Sequence, residues 1–152
     1  MTKLPIEREA ILPRLDGIRR NVSRLEVLAK LSLSEFSKGD AYDLAQHHLR
    51  LALEGVFHIS SHLLSRLPGG RAVEYKEIAR KMGDMKLVPK SFADKTLVAM
   101  AGMRNILVHA YSDIQPERLL DIVRNHRKDI EAFLTHVKAV LSTPKKYGLT
   151  LS

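Results

Sequence analysis

Apolar residues recur three and four positions apart along almost the whole chain, and nowhere do they alternate. That spacing collects side chains on one stripe of a helix, whereas a strand needs a period of two. The pattern predicts an all-α fold. Leu15, Ile18, Val22, Leu25 and Leu28 mark a first helix over about residues 6–31, in which Pro13 predicts a kink or a late start. SEFSKGD interrupts it, and Asp40 is placed to cap a second helix. That helix reaches about Leu67 on a stripe of Leu44, Ala52, Val56, Ile59 and Leu63, and PGG at 68–70 ends it. A short helix follows from about Glu74 to Met85, then a break at LVPKS, then a helix opened by Pro89 or Ser91. Past the turn YSDIQPE, Pro116 stands at a first helical position. From there a last helix runs to about Leu141 on Leu119, Val123, Ile130, Leu134 and Val137. Pro144 stops it, and KKYGLTLS is expected to fray. Without repeats or low-complexity tracts, the expectation is one antiparallel four- to five-helix bundle over residues 1–143, with a tail at 144–152.

Composition narrows the function classes. Hydrophobic residues make up 45% of the chain, enough for a core, yet no apolar run approaches the roughly 18 residues of a membrane span. MTKLPIEREA carries charges where a signal peptide needs its apolar stretch, so no membrane association and a cytoplasmic location are expected. Without cysteine there is no disulfide framework, thiolate metal site or cysteine nucleophile. Lys and Arg outnumber Asp and Glu by 25 to 17, a formal charge of +8 that favours a polyanionic partner such as nucleic acid. The excess is spread over folded elements. Arg14, Arg19, Arg20, Arg24 and Lys30 lie in the first helix, and Arg118, Arg124, Arg127 and Lys128 in the last.

The segment AGMRNILVHAYSDI, residues 101–114, carries the chemistry. At about 100° per residue, Met100, Met103, Leu107 and Ala110 share a core face, and Asn105 and His109 share the opposite one. Arg104 sits at the edge of the apolar stripe, from where its long side chain can swing its guanidinium toward His109. Tyr111 follows on nearly the same line as Arg104. By spacing alone, a capping histidine and a surface arginine are the commoner explanation of these residues.

Arg104-Asn105-x-x-x-His109-x-Tyr111, preceded by Met-Ala-Gly-Met and followed by a Pro-started helix, resembles the HepT-like ribonuclease toxins of the HEPN superfamily. The likeness extends from DAYDLAQHHLRLALEGVFHISSHLL through EYKEIARKMGDMKLVPKSFADKTLVAMAG to the end of the last helix. It implies a HEPN-like bundle and a metal-independent endoribonuclease, the toxin of a type VII toxin–antitoxin system, whose homodimer brings two motifs into one cleft. Arg104 and His109 would be catalytic. Histidine suits proton transfer because it titrates near neutrality, and arginine suits the charge growing on the phosphate because its planar fork stays charged. Asn105 would orient the phosphate or hold the imidazole in one tautomer. No carboxylate cluster adjoins the motif in sequence to hold Mg²⁺, so no metal and no cofactor are expected. The resemblance further implies a MntA-like nucleotidyltransferase antitoxin that uses ATP-Mg²⁺ to place AMP on Tyr111 and silence the toxin. The alternative is a non-catalytic helical partner of such a nucleotidyltransferase, contributing a nucleotide or substrate pocket.

Other candidates have plainer readings. Glu54, His58 and His62 recur every four residues and could face a metal, but HExxH is absent and a partly buried histidine stripe explains them. His47 and His48 are adjacent and expected to point apart. His126 falls at a near-core position, as a hydrogen-bonded interior histidine. Met82, Met85, Met100 and Met103 read as packing, PGG lacks the residues of a phosphate loop, and Lys145–Lys146 is too short for a nucleic-acid arm.

Overall fold

The computed structural model describes residues 4–109 and 114–152. Helix α1 spans Arg8–Ala29 and α2 Leu33–Ser37; α3 spans Ala41–Ser65 and α4 Tyr75–Asp84. A π-helical turn over Phe92–Leu97 runs into α5, Val98–His109. Helices α6 (Pro116–Asn125) and α7 (Arg127–Ser142) follow, then a 3₁₀ turn over Pro144–Tyr147. The all-α expectation holds: among the described residues the extended pairing is confined to one isolated parallel bridge, Ile6 with Leu151.

The centre of the bundle is the long antiparallel pair α1 and α3. Ile11, Leu15, Ile18, Val22 and Leu25 of α1 meet Leu49, Ala52, Val56, Ile59 and Leu63 of α3, all buried. Close approach depends on Gly55, where a Cβ would stand 2.7 Å from Ile18 Cγ1. Helices α4 and α5 pack on one side of α3, while α6 contacts both α1 and α3. Arg124 ties α6 to the end of α1, donating from Nε to the Ala29 carbonyl at 3.0 Å and from Nη2 to that of Leu31. The carbonyl of Ala29, the last residue of α1, thereby gains a partner.

Several expectations are corrected. Pro13 does not delay the start of α1 but lies inside it. SEFSKGD contains a helix of its own, started by a capping box in which Ser32 and Glu35 bond each other's backbone N–H. Asp40 precedes α3 without a side-chain cap bond, and Leu44 is exposed. The last helix is two, divided at His126, which is exposed and places Nδ1 3.1 Å from Asp129 Oδ2. The tail does not fray. Leu149 is buried, Ile6 N–H donates to the Thr150 carbonyl at 2.7 Å, and Ser152 N–H donates to that of Ile6 at 3.0 Å.

Candidate functional site

Helix α5 faces the core through Met100, Ala101 and Leu107, with Met103 half-buried. Its approach is fixed from both ends. The π turn before it packs on α4, where a Cβ on Gly83 would come within 2.7 Å of the Ala93 Cβ. Beyond α5 in the chain, the Tyr42 hydroxyl of α3 donates to the Ile114 carbonyl. The motif therefore sits where α3, α4 and α5 converge.

Arg104 occupies that junction. Its guanidinium carbon lies 4.3 Å from the centroid of the Tyr75 ring, and that ring stacks on Phe57 at 5.1 Å and 27°. Arg104 Nη2 lies 3.8 Å from Glu54 Oε1, and Arg50 Nη1 approaches the same oxygen at 3.1 Å. The Arg104 side chain is only 20% exposed, and its Nε is buried without a hydrogen-bond acceptor. Leaving such a donor unpaired costs about 1–3 kcal/mol, so this is not a surface arginine at rest. It forms the wall between two shallow clefts. One, of about 480 Å³, is lined by Asp43, His47, Arg50, Glu54 and Leu107; the other, of about 420 Å³, by Glu74, Tyr75, Lys76 and Asn105.

His109 is the last residue of α5 and is exposed. It lines neither cleft and forms no side-chain hydrogen bond with Arg104 among the described residues. The Arg104 guanidinium itself turns to Tyr75 and Glu54. Asn105 borders the second cleft beside Arg104, and its side chain forms no hydrogen bond among the described residues. Tyr111 lies outside the described residues.

The other histidines have protein partners. Arg14 Nη1 stands 2.7 Å from His58 Nδ1, and the Glu7 N–H donates to His62 Nε2 at 3.1 Å. Burial, then the neighbouring Arg14, holds His58 below the ordinary histidine range, with Arg104 adding to the effect and Glu54 opposing it. Burial and then Arg66 lower His62. The face Glu54–His58–His62 is therefore turned to arginines and backbone, and no group of three potential metal ligands occurs among the described residues. His47 and His48 do not diverge as expected; their rings meet edge-on at 5.2 Å, and His48 Nδ1 lies 2.9 Å from Asn21 Oδ1. Tyr75 and Glu54 were missed as partners of the motif arginine because they stand roughly 30 and 50 residues before it. The legible signal was the Glu54–His58–His62 periodicity, which marks a polar stripe of α3 that faces α1 and the motif.

Arg104, inside α5, and His109, the last of its described residues, thus lie on one helix of an all-α bundle. The chain belongs to the Ribonuclease HepT-like family, which matches residues 18–137. It is 25% identical over 139 residues to a tRNA nuclease HepT of Aphanizomenon flos-aquae, covering 91% of this chain and 94% of that protein. It is also 22% identical over 134 residues to an mRNA nuclease HepT of Shewanella oneidensis, covering 86% and 98%. The fold matches the tri-AMPylated Shewanella oneidensis HEPN toxin, solved in complex with MNT antitoxin, with a TM-score of 0.78 at 22% identity, over 87% of this chain and 98% of that one. A toxin–antitoxin structure with AMP-PNP matches with a TM-score of 0.75 at 21% identity, over 87% and 99%. Among the described residues no helix is long and apolar enough to cross a membrane.

Proposed function

We propose that this chain is a metal-independent endoribonuclease toxin in which Arg104 and His109 carry the chemistry. The observation behind this reading is the state of Arg104: largely covered, stacked on Tyr75, and left with a buried donor that has no acceptor. In the reaction, the RNA 2′-hydroxyl gives up its proton and its oxygen attacks the adjacent phosphorus. The bond to the 5′-oxygen breaks, and that oxygen takes a proton, leaving a 2′,3′-cyclic phosphate and a free 5′-hydroxyl. Arg104 meets the negative charge that grows on the phosphorane, and His109 moves a proton. Asn105, beside Arg104 in the second cleft, is suited to orient a phosphate oxygen.

One protomer offers a single motif histidine, whereas the reaction uses both a proton acceptor and a proton donor. A two-fold homodimer would supply the pair from identical surfaces. The toxins among the relatives are known with MNT antitoxin and in AMPylated form. We extend this to a nucleotidyltransferase partner that transfers AMP from ATP-Mg²⁺ to Tyr111. The added phosphodiester carries a charge of about −1 near the motif, and the nucleoside adds bulk, so charge and sterics exclude RNA together.

Expression of the chain alone tests the reading. Growth arrest and RNA cleavage should appear with the wild type, persist in EDTA, and vanish in a folded His109→Ala variant. Undiminished cleavage by that variant would remove His109 from the mechanism, and loss of cleavage on chelation would end the metal-free route.

A further inference from the structure

The stripe of α3 that leads away from Arg104 is built from Arg50, Glu54, His58 and His62, each four residues after the last. Four residues advance about 6 Å along a helix, a step comparable to the separation of successive phosphates along a nucleic-acid strand. Glu54, the acidic member, is neutralised by Arg50 at 3.1 Å and Arg104 at 3.8 Å, so it does not oppose an anion on its own. At the next step Arg14 reaches across from α1 and places Nη1 2.7 Å from His58 Nδ1. This contact depends on the tight crossing at Gly55 and Ile18.

The Arg14–His58 pair has a definite chemical form. A guanidinium only donates, so His58 Nδ1 must accept, and the imidazole proton sits on Nε2. Burial first, then Arg14 and Arg104, disfavour the charged ring, with Glu54 opposing. Both residues are exposed, and Arg14 has no carboxylate partner among the described residues. An exposed guanidinium without a carboxylate partner, beside an exposed imidazole that keeps its proton on Nε2, is what a phosphodiester oxygen requires. Arg19, the next exposed arginine of α1, differs in already being paired with Asp16 at 3.2 Å.

We infer that Arg14 and His58 form a substrate subsite that holds a flanking phosphate of the RNA strand, one or two nucleotides from the phosphate met by Arg104. The strand would lie along the α1–α3 face, held through its backbone without regard to base. Both residues bind and position; neither touches the reacting atoms. This inference rests on the ribonuclease reading.

The test uses a non-cleavable 2′-O-methyl RNA of about ten nucleotides, titrated against the full chain at several salt concentrations. Arg14→Ala should weaken binding about five- to tenfold and lower the salt slope by about 1, and Arg14→Lys should restore most of both. His58→Ala should weaken binding in the same direction. With cleavable RNA, both alanine variants should raise KM and leave kcat at wild-type level. Arg19→Ala removes the same formal charge from the same helix and should change binding less than twofold. Wild-type binding with Arg14→Ala indistinguishable from Arg19→Ala overturns the subsite and leaves the nuclease reading standing. A wild type that neither binds nor cleaves RNA overturns both.

Discussion

Replacing Tyr75 with leucine separates the ring's two roles from its bulk. The ring supports Arg104 from below at 4.3 Å and itself stacks on Phe57 at 5.1 Å. The aromatic pair contributes about 0.5–1.5 kcal/mol beyond its buried area. A cation–π contact contributes about 0.5–1 kcal/mol. Leucine recovers much of the apolar packing but neither ring interaction, for a net loss of about 1–2.5 kcal/mol. At this chain length that lowers Tm by about 2–10 °C. The larger effect should be on catalysis. Without the ring, the guanidinium is held only by Glu54 at 3.8 Å, and its mean position drifts from where the phosphorane forms. A misplaced electrostatic donor costs about tenfold in kcat. Tyr75→Phe keeps the ring and should retain kcat within about twofold, because the hydroxyl has no partner among the described residues. Cleavage assays with a fluorogenic RNA, beside thermal melts, measure both quantities. A folded Tyr75→Leu enzyme with wild-type kcat would refute the idea that the stack positions Arg104. Equal damage from Phe and Leu would show that the hydroxyl matters instead.

Stability should fall on mild acidification, since burial lowers His48, His58, His62 and His136 below the ordinary 6.5. The folded state prefers these rings neutral, so their contribution is complete above 6.5 and is lost as pH drops below it. Tm should therefore be lower at about pH 5.5 than at about pH 7.5, and a flat or rising Tm over that interval would contradict it. The packed tail makes a second claim: Leu149 is 2% exposed, so Leu149→Ala should cost about 2–3 kcal/mol in urea unfolding. An unchanged midpoint would mean that the tail adds nothing to the fold.

Helical periodicity made the bundle legible because each apolar stripe is a local property of one helix. Ends and breaks were less so. His126 interrupts the final helix although nothing in RNHRK forbids continuation. Leu149 and Leu151 fall in a tail expected to fray, yet Leu149 is buried and Leu151 bridges to Ile6 at the other end of the chain, a pairing no local pattern encodes. At the site, Arg104, Asn105 and His109 could be singled out from spacing and resemblance. Their surroundings could not. Tyr75 and Glu54 come from other helices, and the wheel of α5 cannot tell which way a long arginine turns once a ring and a carboxylate are near.

That turn bears on how Arg104 could serve a substrate. Were Glu54 its dedicated partner, taking Arg104 would strand a carboxylate that is 23% exposed, and breaking such a pair is costly. Glu54, however, is shared, with Arg50 at 3.1 Å and Arg104 at 3.8 Å. When a phosphate draws the guanidinium away, Glu54 keeps its closer cation, and Arg104 exchanges one long ion pair for charge-assisted bonds to phosphate oxygens. The buried Nε has no acceptor to lose in that exchange. Tyr75 still limits where the guanidinium can go, because the stack restrains its plane more than its charge. Glu54 and Tyr75 thus hold the arginine close to its working position while leaving it available to an anion, an arrangement poorly suited to a purely structural ion pair.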